Sequence, residues 1–150
     1  MPETDKPKSP EQPLESPKDV LSETQHSVTI HGEVIQYTVT TGTMVLKEEM
    51  EKEGTPGLSD GEQPKAKIFF VAYTRNDVPD RARRPLTFSF NGGPGSSSVW
   101  LHLGVLGPRR VLMDEQGGPL PPPHRLVENE FSLLDATDLV FIDPVSTGYS

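Results

Sequence analysis

Cysteine is absent from the 150-residue sequence, which excludes disulfide bonds, thiolate metal sites and a cysteine nucleophile. Positive charge is scarce, because 14 Lys and Arg residues stand against 22 Asp and Glu, for a formal net charge of -8. We expect no nucleic-acid partner, since phosphates require clustered basic side chains. No apolar run reaches the roughly 18 residues of a membrane span, so we expect no membrane partner either. Because cysteine is absent, any covalent catalysis must use an oxygen nucleophile.

The first 26 residues contain few apolar side chains and no secretory signal. Met1–Asp5 offers neither a basic nor an apolar signal region, which favours the cytoplasm. Prolines stand among Lys, Glu, Asp, Ser and Gln at positions 2, 7, 10, 13 and 17. Burial of so few apolar groups cannot offset the entropy cost of ordering this segment. We therefore predict a disordered tail at 1–26 and a folded domain at 27–150.

Four segments of the folded domain have the composition of β-strands. Residues 27–46 are dense in β-branched side chains with period-two alternation, which predicts a hairpin or short meander. Further strands are predicted at 66–73 and at Leu86–Phe90. Residues 138–144 contain the continuous apolar run Leu139–Ile142, which is typical of a strand buried on both faces.

The segments between these strands are predicted as loops and one short helix. Residues 47–67 are polar and rich in Gly and Pro, and 114–124 contain two glycines and four prolines, so both are predicted as loops. A helix is predicted over 97–106, before Gly107-Pro108. Strands alternating with loops and a helix indicate an α/β sheet of which only the first strands are present.

Three local patterns have ordinary structural interpretations. Gly57-Leu58-Ser59-Asp60-Gly61 matches G-x-S-x-G, but a nucleophile elbow needs an apolar strand before it and a helix after it. Charged residues precede this match and Gln63-Pro64 follows, so a surface loop is predicted. The basic cluster Arg81, Arg83 and Arg84 is predicted to be a solvated turn. The histidines show no metal-ligand spacing and are expected to be ordinary residues, at positions 26, 31, 102 and 124.

The segment Asn91-Gly92-Gly93-Pro94-Gly95-Ser96-Ser97-Ser98, here called the glycine loop, carries the strongest functional signal. Three glycines directly after a predicted strand let backbone N–H groups approach a ligand without interference from side chains. A Walker loop is not supported, because no lysine occurs after Lys67. The dinucleotide fingerprint is not supported either, because its third spaced glycine is missing. Two interpretations of the glycine loop remain open: a binding hole for an anion and a plain tight turn.

Four segments of the second half match one known family in order and spacing. Phe90–Ser98 is similar to N-G-G-P-G-C/S-S-S, and Leu106-Gly107-Pro108 is similar to L-G-P. Asn129–Ser132 is similar to the start of N-x-Y/F-S/T-W, and Leu139–Ser150 to a strand ending in D-x-P-x-G-x-G-F/Y-S. These motifs resemble the serine carboxypeptidase family. The resemblance covers about residues 66–150 and implies an α/β-hydrolase fold of which the N-terminal strands are present.

The resemblance also implies a function and a set of site residues. The Asn91 amide and the Gly92 N–H would bind the free C-terminal carboxylate of a peptide substrate, and the Gly93 N–H would form part of the oxyanion hole. The reaction would proceed through a serine acyl-enzyme, without a metal or an organic cofactor. The family's nucleophile, aspartate and histidine follow later than Ser150, so the 150-residue chain alone is expected to be inactive.

Two departures from the family pattern bear on the substrate. Ser96 stands where members with a disulfide have cysteine. Many members place a glutamate before L-G-P to share a proton with the bound carboxylate, yet residues 96–110 include no acidic side chain. Arg109 or Arg110 is a hypothetical source of compensating charge. An acyltransferase or esterase on the same fold, and a non-catalytic binding module, remain open as alternatives.

Overall fold

The computed structural model describes residues 17–51, 54, 59–92 and 95–150. Its strands are β1 (Val20–Ile30), β2 (Glu33–Glu51), β3 (Ser59–Arg75), β4 (Leu86–Ser89), β5 (Arg109–Val111), β6 (Leu126–Glu128) and β7 (Asp138–Ile142). Helical structure in the same residues comprises α1 (Val99–Leu101), a π-helical turn at His102–Leu106 and two 3₁₀ turns at Arg81–Arg83 and Leu133–Asp135.

Five strands form one mixed sheet in the order β1-β2-β3-β7-β4. Neighbours are antiparallel except for β4 and β7, which run parallel. β5 and β6 form a separate antiparallel pair, which the sequence did not reveal. The predicted α/β architecture of early strands is thus confirmed as a mixed sheet with few helices.

β1 begins inside the segment that was predicted to be a disordered tail. It pairs with β2 along its whole length, from Val20 opposite Thr43 to Ile30 opposite Glu33. The side chains of residues 20–26 are exposed, so their polar composition gives no sign of the strand. Antiparallel pairing is made by backbone groups, which side-chain composition does not report. The prediction of disorder is therefore wrong for 20–26, whereas 1–16 lie outside the described residues.

β2 and β3 are longer than predicted and continue beyond β1. Residues 44–51 of β2 are paired with β3, with register shifts between Leu46 and Lys47 and between Glu49 and Glu51. The polar segment predicted as a loop therefore forms most of a two-stranded ribbon. Exposed ion pairs join its strands, Lys47 with Glu62 and Lys65 with Glu48.

The G-x-S-x-G match lies at the start of β3. Ser59 is exposed and begins a strand rather than the strand-to-helix turn of a nucleophile elbow. Gly57 and Leu58 lie outside the described residues. The structure of Ser59–Gly61 thus agrees with an ordinary surface position, although in a strand rather than a loop.

The hydrophobic core lies on one face of the sheet. Pairing places the buried residues of β1, β2, β3 and β7 on this face, and Leu134 packs onto it from the second 3₁₀ turn. Leu139 and Phe141 are fully buried, but the residues that alternate with them in β7 are partly exposed. The strand predicted at 138–144 is therefore confirmed in position, whereas burial on both of its faces is not.

Arg84 departs from the solvated turn predicted for the basic cluster. Its side chain is 8% exposed, and its Nε donates to Asp138 Oδ1 at 2.7 Å. Its guanidinium also donates to the Leu134 carbonyl at 2.6 Å. Arg81 and Arg83 are exposed, as predicted. The prediction is wrong for Arg84, which ties the chain before β4 to the start of β7.

Candidate functional site

The parallel strands β4 and β7 end at the same edge of the sheet. β4 leads into the glycine loop, and β7 leads into Asp143-Pro144. In sheets with parallel strands, ligands bind beyond the carboxyl ends of the strands. The candidate site is therefore built from the two loops that leave this edge.

Within the glycine loop, the structure places Asn91 against Ser96. Asn91 Nδ2 donates to Ser96 Oγ at 3.3 Å, and Asn91 Oδ1 is buried without a partner in the described part of the chain. Gly95 has φ +84°, a conformation that favours glycine. Gly92 is described, but Gly93, the predicted oxyanion-hole donor, lies outside the described residues.

The buried carboxylate of Asp143 joins the two loops. Its Oδ1 accepts hydrogen bonds from the Ser98 N–H at 2.8 Å and from Ser98 Oγ at 2.9 Å. Its Oδ2 accepts from the Tyr149 N–H at 3.1 Å. A Cβ at Gly148 would overlap this carboxylate, so glycine allows the second loop to close over it.

The L-G-P and N-x-F-S motifs meet at the end of the π-helical turn. Asn129 Nδ2 donates to the carbonyls of Val105 at 2.9 Å and Gly107 at 2.8 Å. Ser132 Oγ donates to the Leu106 carbonyl at 2.7 Å. Helix ends leave carbonyls without intrahelical partners, and these side chains supply donors for them. The two motifs therefore hold the short helix predicted at 97–106, which is confirmed as α1 and the π-helical turn.

His102 is a half-buried part of this helix, and its ring makes contacts within the described residues. Its Nε2 lies 2.5 Å from Tyr73 Oη, and its ring stacks on Phe141 with centroids 4.6 Å apart. Burial lowers the pKa of His102 to about 4, although the Asp143 charge acts in the opposite direction. Burial also raises the pKa of Tyr73. At neutral pH a neutral imidazole thus faces a protonated phenol.

The lowered pKa of His102 predicts that the protein loses stability in acid. Between pH 6.5 and 4 the unfolded histidine takes up a proton and the folded His102 does not, so unfolding becomes easier as pH falls. The difference amounts to at most about 3 kcal/mol. His102→Gln should flatten the dependence of the free energy of unfolding on pH in this window, measured by urea denaturation at successive pH values.

The matched control is His124→Gln, because His124 is exposed. The carboxylates titrate in the wild-type protein and in both variants, so their contribution to the pH dependence cancels when the three are compared. We expect the control to keep the wild-type slope. An unchanged slope in His102→Gln would contradict the prediction.

Arg109 and Arg110 line cavities that no described residue of the glycine loop borders. Arg109 borders a cavity of about 330 Å³ with Tyr37 and Tyr73. Arg110 borders a cavity of about 540 Å³ with Phe131. Asn91 and Gly92 line neither cavity. The structure therefore gives no support to either arginine as the charge that replaces the family's glutamate.

Metal-binding clusters and membrane-spanning helices are absent from residues 17–51, 54, 59–92 and 95–150. Their His, Asp and Glu side chains form no group of three or more that could hold a metal ion. Their helices include none that is long and apolar enough to cross a membrane.

Comparison with known proteins gave matches of three kinds. Residues 46–150 match the family model described as serine carboxypeptidase. The pheromone-processing carboxypeptidase KEX1 of Saccharomyces cerevisiae is 41% identical over 83 residues, 55% of this chain and 10% of that protein. Carboxypeptidase Y homolog A of Phaeosphaeria nodorum is 31% identical over 107 residues, 71% of this chain and 18% of that protein.

A solved structure also matches. The crystal structure of Kex1Δp, a prohormone-processing carboxypeptidase from Saccharomyces cerevisiae, has a TM-score of 0.46 and 32% identity, and covers 73% of this chain and 20% of that one. The chain thus spans about a tenth to a fifth of the length of these proteins.

Proposed function

Since the chain belongs to the serine carboxypeptidase family, we propose that the protein hydrolyses C-terminal peptide bonds through a serine acyl-enzyme. The observation that carries this proposal is the contact between two family motifs. Ser98 of the glycine loop and Asp143 of the D-x-P motif are hydrogen-bonded beyond the carboxyl ends of β4 and β7. Active sites of open α/β sheets form at this edge.

Asn91 and Gly92 are the proposed binding groups for the substrate's free carboxylate. Asn91 already contacts Ser96, whose hydroxyl can either donate or accept. The Asn91 amide carries two N–H groups, of which Ser96 accepts one, so the second is a donor for a carboxylate.

The proposed role of Gly93 is to donate its backbone N–H to the oxyanion of the tetrahedral intermediate. A rigid donor at that point stabilises charge that develops only in the transition state, typically by several kcal/mol. Its neighbours in sequence support the role, because Asn91 and Ser98 are both held by hydrogen bonds on either side of it.

The proposed nucleophile, aspartate and histidine lie outside residues 1–150. Ser98 is unsuited to attack, since its Oγ is buried and donates to Asp143. Ser59 is exposed at the start of a strand. His102 is bonded to Tyr73 rather than to a serine. The greater length of the relatives leaves room for the missing groups.

Asn91→Ala tests the proposal in the complete protein that contains this chain. The variant loses a donor to the substrate carboxylate, and a hydrogen bond to a charged group contributes about 1.5–3 kcal/mol. We therefore expect KM for a blocked dipeptide with a free carboxylate to rise roughly 10- to 100-fold. KM for the corresponding peptide amide should change little.

The control is Asn76→Ala. The Asn76 side chain accepts a hydrogen bond from Thr38, and Asn76 follows the end of β3 that lies beside the start of β7, at the edge of the sheet opposite the candidate site. It should leave both KM values near wild type. Equal effects of Asn91→Ala on acid and amide would contradict the carboxylate role. Wild-type preference for the amide or an ester would favour an esterase or acyltransferase, and binding without turnover would favour a binding module.

A further inference from the structure

Asp143 is a buried acidic residue for which the proposed chemistry has no use. It is 4% exposed, and none of the ion pairs among the described residues includes it. Burial of a carboxylate is costly unless hydrogen bonds replace its water. Here three donors do so: the Ser98 N–H, the Ser98 hydroxyl and the Tyr149 N–H.

The main chain of Asp143 is fixed independently of its carboxylate. Its N–H donates to the Phe69 carbonyl at 3.0 Å, which continues the β3–β7 pairing by one residue. Its carbonyl accepts from Ser150 Oγ at 2.6 Å, and that oxygen accepts from the Phe69 N–H at 2.8 Å. The carboxylate therefore projects from a rigid point of the sheet.

The chemistry of the three bonds requires a carboxylate. A carboxylate has two acceptor oxygens, whereas an amide of the same shape has one acceptor and one donor. Asparagine at 143 would satisfy either Ser98 or Tyr149 and direct its N–H groups at the other. The bonds thus fix the glycine loop and the loop that follows β7 at once.

We propose that Asp143 is a positioning residue, which sets the glycine loop at the distance from the loop after β7 that catalysis requires. The proposal rests on the proposed carboxypeptidase function. Ser98 transmits the position, because it is the last residue of the glycine loop and its carbonyl accepts the His102 N–H at 2.9 Å, which begins the helix. Displacement of the loop moves both the carboxylate donors and the oxyanion donor.

Asp143→Asn in the complete protein is the direct test. The concentration of active sites is first measured by titration with a fluorophosphonate, which labels activated serines. We expect kcat per titrated site to fall roughly 30- to 100-fold, because small misplacement of catalytic groups costs about that much. We also expect the preference for a free-acid peptide over its amide to decrease. A merely structural defect would lower the number of titrated sites and leave both quantities unchanged.

Ser98→Ala keeps the test informative if Asp143→Asn does not fold. It removes one donor to Asp143 and retains the N–H bond, so kcat per titrated site should fall about 3- to 10-fold. The matched control is Ser132→Ala. Ser132 is also buried and also donates one hydrogen bond, to the Leu106 carbonyl, without contact to Asp143. This control should lower stability and leave kcat per site unchanged.

The outcomes separate this inference from the proposed function. Wild-type protein that neither labels nor cleaves would overturn the function, and the inference with it. A second outcome would overturn the positioning role alone. In it the wild-type protein cleaves the peptide, and either Asp143→Asn or Ser98→Ala keeps kcat per site and the preference for the free acid within twofold of the wild-type values. A fall in Ser132→Ala equal to that in Ser98→Ala would also overturn it.

Discussion

Replacing Arg84 with methionine is expected to lower the free energy of unfolding by about 3 kcal/mol, the lower end of the effect for buried pairs, because the change leaves a largely buried carboxylate without its cation. Arg84 and Asp138 are 8% and 17% exposed, and their Nε–Oδ1 distance is 2.7 Å. The Leu134 carbonyl loses a donor as well. Urea denaturation followed by circular dichroism measures the loss.

The control for this prediction is Lys65→Met. Lys65 and Glu48 also form an ion pair, but their side chains are 67% and 53% exposed. Exposed pairs contribute at most about 1 kcal/mol, since water solvates both charges when the pair is broken. Similar losses in the two variants would show that burial of the Arg84 pair has no special effect.

Phe141→Ala is expected to lower the free energy of unfolding by about 3–5 kcal/mol, through lost burial and the cavity that remains. Phe141 is fully buried in β7. It stacks on His102 and meets the edge of Tyr73 with ring centroids 6.0 Å apart. Its removal thus also takes away the support of the helix that follows the glycine loop. Denaturation in urea measures the total loss in the free energy of unfolding.

Phe131→Ala is the matched control, because Phe131 is 68% exposed. Truncation there removes little buried surface and should change stability by less than about 1 kcal/mol. The prediction for Phe141 fails if both truncations cost the same.

Sequence reasoning located the strands whose side chains carry a clear pattern. β4 and β7 were predicted because short apolar runs stand between turn residues, and the glycine loop because its glycines follow β4. β1 was missed at residues 20–26, since pairing with β2 is made by backbone groups of a polar segment. β5 and β6 were missed because three-residue strands are too short for a periodic pattern.

The position of the candidate site was predictable only in part. The resemblance between motifs predicted site roles for Asn91 and Gly92, which stay predictions, and the structure places both residues where β4 ends. The burial of Arg84 was not predictable from its neighbours in sequence, because Asp138 is 54 residues away. The contact between His102 and Tyr73 likewise joins separate parts of the chain. Residue type and spacing do not report such long-range contacts.

The bond between Ser98 and Asp143 spans 45 residues, and this separation affects the order in which the protein assembles. During synthesis the glycine segment leaves the ribosome well before the residue that holds it in place. Ordering the loop earlier would cost conformational entropy without the compensating bonds. The site therefore reaches its final geometry only after β7 has joined the sheet, and the family signature, although contiguous in sequence, is a late product of tertiary folding.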